Sequence, residues 1–271
     1  MTRLLTHPAL FLAAAAIFAP ALLAGQTPGH ADLCVFRGGR FLCDTAHDGG
    51  AAEVRVRFGN AGELPFLVDF DGDGRADPCV FRDRQFLCDT LHDGGAAERQ
   101  TPRFGTVPSG AQPLLGDVDG DLDQGGAVDP CYRLGSRWTC LVFSGAFGTI
   151  QVFWEFGSGT DPGLLGDVDG DGDADSCVFQ QGRFFCRTFR EQDGALITLT
   201  LNLRSALPAG APGTPLLGDV NGDGRADPCV WNAGRLVCGI FPPGKNRPAS
   251  VVRQSFGNPG DVPVLGDIDG L

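Results

Sequence analysis

Three stretches of the chain crowd carboxylates onto alternate positions before turning apolar at a cysteine. In DFDGDGRAD, Asp69, Asp71, Asp73 and Asp77 stand at positions 1, 3, 5 and 9, with Gly74 at position 6. The pattern returns at Asp167, Asp169, Asp171 and Asp175, and at Asp219, Asn221, Asp223 and Asp227. Alternating side chains converge on one point only if the backbone coils around it, and the glycine permits that sharp turn. Position 7 then offers a backbone carbonyl, from Arg75, Asp173 and Arg225. An all-oxygen set suits a hard cation, and Ca2+ fits a flexible loop better than Mg2+ with its octahedral demand. The competing reading is a solvated acidic loop. It has to explain why like charges are packed where their repulsion destabilises a compact chain, and why the packing repeats.

Partial copies flank these three loops. DVDGDLDQGGAVD carries Asp117, Asp119, Asp121 and Asp129 with extra residues before the last acid, so Asp129 is expected to fall short of an ion. Asp32 stands alone before the first cysteine, and Asp267 and Asp269 close the chain in GDIDGL. Together these make one split loop. The expectation is Ca2+ in three complete loops and in up to five sites if the partial copies also bind.

The elements that must hold the loops are marked by cysteines. Ten of them fall as Cys34/Cys43, Cys79/Cys88, Cys131/Cys140, Cys177/Cys186 and Cys229/Cys238, one spacing repeated through the chain. Midway in each pair lie turn formers: Gly38-Gly39, Asp83-Arg84, Gly135-Ser136, Gln181-Gly182 and Ala233-Gly234. A two-residue hairpin there sets Phe36 opposite Phe41, Val35 opposite Leu42 and Cys34 opposite Cys43, within reach of a disulfide. The alternatives are small buried hydrophobes and zinc ligands, and zinc would favour closer cysteine spacing and cysteines pooled from separate hairpins. Five local disulfides are expected, at home in an exported protein.

Before each acidic loop runs an apolar strand: PFLVD, PLLGD, GLLGD, PLLGD and PVLGD. After each cysteine hairpin comes a fourth segment, clearest in VRVRF, where Val54, Val56 and Phe58 share a face. Four short strands recurring at a period near 50 residues make the blade of a β-propeller. The expected fold is all-β, with five four-stranded blades over residues 32–271. The chain enters at a second strand and ends after a first strand, so Val262 to Ile268 is expected to pair beside Ala31 to Phe36 and close the ring. Truncation of a longer propeller is the rival account. Phe36, Phe81, Phe179 and Trp231, with Phe41, Phe86, Trp138, Phe184 and Leu236 opposite, are expected to pack between blades.

The unit, an FG pair at Phe58, Phe104, Phe156 and Phe256 followed by P-L-L-G-D-V-D-G-D-G-x-A-D, resembles the FG-GAP/VCBS repeat of integrin α-subunit propellers and many exported bacterial proteins. The resemblance covers essentially the chain after Thr27. It implies a calcium-stabilised propeller used for adhesion or ligand binding, without catalytic groups of its own, its loops between the first and second strands at one end of the propeller. The cysteine pairs depart from the common pattern.

Met1 to Gly25, with Arg3 ahead of an apolar run, reads as a signal peptide cut after Gly25 or as late as Ala31. The run is short and broken by Pro20, which disfavours a membrane span, and Gln26 stands where a lipidated cysteine would be needed. Export places the protein in the periplasm, at the cell surface or in the medium. A formal charge of −12 argues against nucleic acid.

Few other residues offer chemistry. Arg40, Arg137, Arg183 and Arg235 follow the hairpin turns, and would form a partial ring at the end opposite the acidic loops, fit for carboxylate or sulfate or simply solvated. His47 and His92 are read as decorating the turn after a hairpin. Trp138, Trp154 and Trp231 are weighed as a sugar platform, which is disfavoured because Trp138 and Trp231 sit at repeated packing positions and are read as core. No catalytic constellation is found, and the chain is expected not to be an enzyme. The function expected is a binding or adhesion module for an extracellular protein or glycan. A purely structural domain or a fragment of a larger surface protein is the alternative.

Overall fold

A computed structural model of the chain describes residues 29–120, 128–144, 148–190, 195–208 and 213–271. The expected signal peptide lies outside the described residues. The described residues form five antiparallel sheets of four strands and no helix. The first blade joins β1 (Asp32–Phe36), β2 (Phe41–Asp44) and β3 (Val54–Val56) to the last strand, β20 (Val262–Gly266). The second runs β4 (Leu64–Val68), β5 (Asp77–Arg82), β6 (Gln85–Cys88), β7 (Arg99–Gln100). The third runs β8 (Gln112–Gly116), β9 (Asp129–Leu134), β10 (Arg137–Ser144), β11 (Gly148–Glu155). The fourth runs β12 (Gly163–Gly166), β13 (Asp175–Gln180), β14 (Arg183–Arg190), β15 (Ala195–Asn202). The fifth runs β16 (Thr214–Gly218), β17 (Asp227–Asn232), β18 (Arg235–Ile240), β19 (Ser250–Ser255).

The innermost strands close a ring in which β20 touches β4 and β16, and β8 and β12 complete the circuit. Closure depends on β20 pairing with β1 in the register Asp32 with Gly266 through Phe36 with Val262. A propeller so joined leaves no open inner edge at the junction of its ends.

Each blade is pinned at its second and third strands. Cys34 pairs with Cys43, Cys79 with Cys88, Cys131 with Cys140, Cys177 with Cys186 and Cys229 with Cys238, and each pair is a disulfide. Four of the turns have positive φ at both central residues, including Asp83 and Arg84, the geometry whose twist matches a hairpin. The third has it at Gly135 alone.

The core lies between blades. Phe41, Phe86, Trp138 and Phe184 are fully buried, and Leu236 is nearly so. Phe36–Phe41, Phe81–Phe86 and Phe179–Phe184 form tilted cross-strand pairs with centroids 4.9 to 5.0 Å apart. The Phe-Gly pair has two jobs. The N–H of Phe104, Phe156 and Phe256 donates to a carbonyl in the hairpin turn of its own blade, and Leu203 does the same where the phenylalanine is missing. The glycine then lets the chain pass against the next blade: a Cβ at Gly59, at φ +89°, would meet Val80 Cγ1 at 2.7 Å.

Candidate metal centre

Each acidic loop connects the first strand of a blade to the second, and the pairing of those strands sets its ends. Val68 opposes Asp77, Gly116 opposes Asp129, Gly166 opposes Asp175, Gly218 opposes Asp227 and Gly266 opposes Asp32. The last acid is therefore held by the sheet. It also accepts the N–H of loop position 2 in all five copies: Asp77 from Phe70 (2.8 Å), Asp129 from Val118 (3.0 Å), Asp175 from Val168 (2.9 Å), Asp227 from Val220 (3.2 Å) and Asp32 from Ile268 (3.0 Å).

This placement revises the expectation for Asp129. The ladder fixes both ends of its loop despite the greater length, so Asp117, Asp119 and Asp129 bring carboxylate oxygens within 4.8 Å of one another. Asp121 lies outside the described residues. Asp69, Asp71 and Asp77 converge in the same way, and so do Asp32, Asp267 and Asp269 across the two ends of the chain.

The first acid coils the loop. Asp69 accepts N–H groups of Gly72 (2.7 Å), Asp73 (3.1 Å) and Gly74 (2.9 Å), and Asp219 accepts those of Gly222 (2.7 Å), Asp223 (3.2 Å) and Gly224 (2.7 Å). Asp167 accepts from Gly170 and Gly172. The loops also brace one another. Ala76 donates its N–H to Asp267 O, Ala174 to Asp117 O, Ala226 to Asp167 O and Ala31 to Asp219 O, at 2.5 to 2.6 Å. Arg75 reaches the neighbouring loop through its side chain and donates to Ile268 O. In the 219–227 loop, Asp223 instead accepts from Arg225 and Asn221.

The electrostatics fit a cation. Burial, reinforced by neighbouring carboxylates, pushes Asp175 up to about 8 and Asp227 up to about 7. Burial likewise takes Asp32 to about 6 and raises Asp69, Asp167, Asp169 and Asp267. Asp169 Oδ1 is buried, with the buried Thr188 hydroxyl as its side-chain hydrogen-bonding neighbour. A hard cation is the group whose charge and ligand preference would satisfy these oxygens together.

Two residues set aside in the sequence belong to this end of the molecule. His47 Nε2 lies 2.9 Å from Asp32 Oδ1, and His92 Nε2 lies 3.0 Å from Asp77 Oδ1. They orient the last acid of two loops rather than decorate a turn. Their segments, CDTAHDGGAAE and CDTLHDGGAAE, also gather Asp44, Asp48 and Glu53, and Asp89, Asp93 and Glu98. The repetition was the available signal. Asp44 there accepts N–H groups of Asp48 and Gly49.

The hairpin turns lie at the far end of the second strand from the acidic loops, as expected, and their arginines are exposed. Arg40 and Arg235 line one groove. Arg137 instead stacks over Phe153 at 4.1 Å and sits 3.9 Å from Glu155. Trp138 and Trp231 are buried, so the three tryptophans form no joint platform. Trp154 stacks on Trp138 with centroids 6.0 Å apart and lines a cleft of 430 Å³ beside Asp171 and Asp173.

No protein-family model matches the chain, and no curated protein matches it. Among solved structures, the chain is similar to an Agrocybe aegerita lectin described as recognising non-reducing terminal N-acetylglucosamine, with 17% identity and a TM-score of 0.48. The match covers 88% of this chain and 68% of the lectin. It is similar to TcdB2-TccC3, at 20% identity and TM-score 0.36, over 72% of this chain and 8% of that one. A Photorhabdus luminescens Tc holotoxin pore matches at 20% identity and TM-score 0.40, over 87% and 12%. Likeness at this level says nothing of what this chain binds.

Proposed function

We propose that the protein is an exported, calcium-stabilised β-propeller of the FG-GAP/VCBS type that acts as a binding module for an extracellular glycan or protein. The observation that carries the reading is the repeated loop: buried carboxylates held by the ladder at one end, coiled by backbone N–H groups at the other and brought together in one cluster. Calcium would be held by positions 1, 3, 5 and 9 with the carbonyl of position 7. There it would neutralise repulsion between the acids and, through the Ala-to-Asp bonds between loops, stiffen the ring.

The propeller is then a scaffold, and its role is binding rather than catalysis. Five disulfides suit an oxidising compartment, and among the described residues no helix is long and apolar enough to cross a membrane. The cleft beside Trp154 supports a ligand with an apolar face and polar groups turned to Asp171 and Asp173.

The test has two parts. Chelator should lower the melting temperature of the full chain and Ca2+ should restore it. A glycan array read with and without Ca2+ should return a defined set of ligands. A melting temperature indifferent to both additions ends the calcium reading, and a blank array points to a protein ligand or to a structural role.

A further inference from the structure

We infer that the groove between the fifth and first blades is a binding site for an anionic oligosaccharide carrying sulfate or carboxylate groups. The groove has a volume of 790 Å³ and runs from the hairpin turn at Ala233-Gly234 to the turn at Gly49-Gly50. Arg40 follows the hairpin turn of the first blade, Arg55 stands on β3 and Arg235 opens β18. All three are exposed, all three line the groove, and none has a side-chain partner among the described residues.

Their situation differs from that of the arginine beside them. Arg37 also lines the groove, yet both of its terminal bonds go to Asp261, at 2.6 Å each. Arg82 is matched in the same way by Glu63. The chain thus supplies carboxylates to guanidinium groups that brace a blade and leaves three others unmatched along one groove. In a protein of formal charge −12, that is a local reversal of sign. Guanidinium groups bind sulfate and carboxylate through paired N–H donors.

The lining selects among polyanions. Gly49, Gly50, Gly234, Ser255 and Asn258 present backbone and small polar groups, suited to a hydroxyl-rich ligand. An acidic peptide would gain most from an apolar anchor pocket, and the aliphatic residues here are recessed: Val35 is fully buried and Leu42 is half-buried. Five disulfides suit an oxidising compartment, where intracellular nucleic acid would not compete for the groove. The acidic loops take no part, so this inference stands or falls apart from the calcium reading.

The probe is a heparin-derived octasaccharide, titrated calorimetrically into the full chain at fixed Ca2+ and physiological salt. Its desulfated, N-acetylated counterpart and poly-glutamate of matched charge serve as comparisons. The wild type should bind the sulfated probe, more weakly as salt rises. The R40S/R55S/R235S variant should lose at least tenfold in affinity while melting as the wild type does. The R57S/R99S/R204S variant, which removes the same charge from exposed positions off the groove, should stay within twofold. Absence of wild-type binding overturns the proposal. So does an equal loss in the off-groove variant, which would mean general electrostatic attraction, or tighter binding of poly-glutamate, which would make the ligand an acidic peptide.

Discussion

The N–H of Ala76 donates to the carbonyl of Asp267 at 2.5 Å, joining the second blade to the last residues of the chain. Its counterpart, from Ala31 to Asp219, joins the first blade to the fifth. Both bonds depend on β20 lying beside β1. Deleting Val262 to Leu271 should therefore replace one cooperative thermal transition by a broad, lower one, because the first and second blades lose their inner partner. Calorimetry of the deletion against the full chain checks this, and an unchanged transition would mean that the ring does not need its last strand.

The second expectation concerns single loops. Asp175 is anchored by Val168 N–H and by the ladder, so Asn at this position can keep the backbone bond while removing the charge. The D175N variant should fold, bind one Ca2+ fewer by equilibrium dialysis, and gain less melting temperature from added Ca2+. Unchanged stoichiometry would remove the 167–175 loop from the candidate sites.

How much of this was legible beforehand depends on what fixes each feature. The hairpins were legible because a cysteine pair and a two-residue turn leave one register, and Cys34 opposite Cys43 carries Phe36 opposite Phe41 with it. Closure by Val262 to Ile268 followed from counting strands of each kind. The position of Asp129 was not legible. Loop length suggested that it would miss, while the constraint lies in its pairing with Gly116 on another strand. The contacts of His47 with Asp32 and His92 with Asp77 were hidden for the same reason, since positive φ at each histidine turns the ring back onto the blade. Arg55 carried no turn signal; the pairing of β3 with β2 sets it opposite Leu42, near Arg40 in the same blade, and the packing of the fifth blade on the first adds Arg235.

Removing one bridge should cost stability without changing the fold. Cys177 and Cys186 are buried and directly opposed, so valine at both keeps an apolar pair in the hairpin. Closing a loop of this length contributes roughly 2 to 3 kcal/mol in the chain-entropy model. In a chain of this size that corresponds to roughly 4 to 12 °C of melting temperature. The C177V/C186V variant should melt that much lower with the same far-ultraviolet circular dichroism. A shift below about 1 °C would mean that this bridge constrains little in the unfolded chain.

The pH dependence of one ion pair can be given a sign. Hydrogen bonds from Arg82, at 2.5 and 2.9 Å, hold Glu63 down at about 2 against its ordinary value near 4.5. A depressed carboxylate contributes stability that is full above its unfolded value and is lost as pH falls through its folded one. The contribution should therefore be present at pH 6, shrink below about 4.5 and vanish near 2. Arg82 is partly exposed, so solvent screening keeps the contribution to about 0.5 to 1 kcal/mol. Denaturant titrations of wild type and E63Q should give curves that differ by that amount at pH 6 and converge near pH 2. Glu63 also accepts from Asn60 N–H at 2.7 Å, and Gln retains an acceptor for that bond, so the difference between the two proteins reports the charge. Curves that stay parallel down to pH 2 would assign the effect to the turn geometry instead of the ion pair.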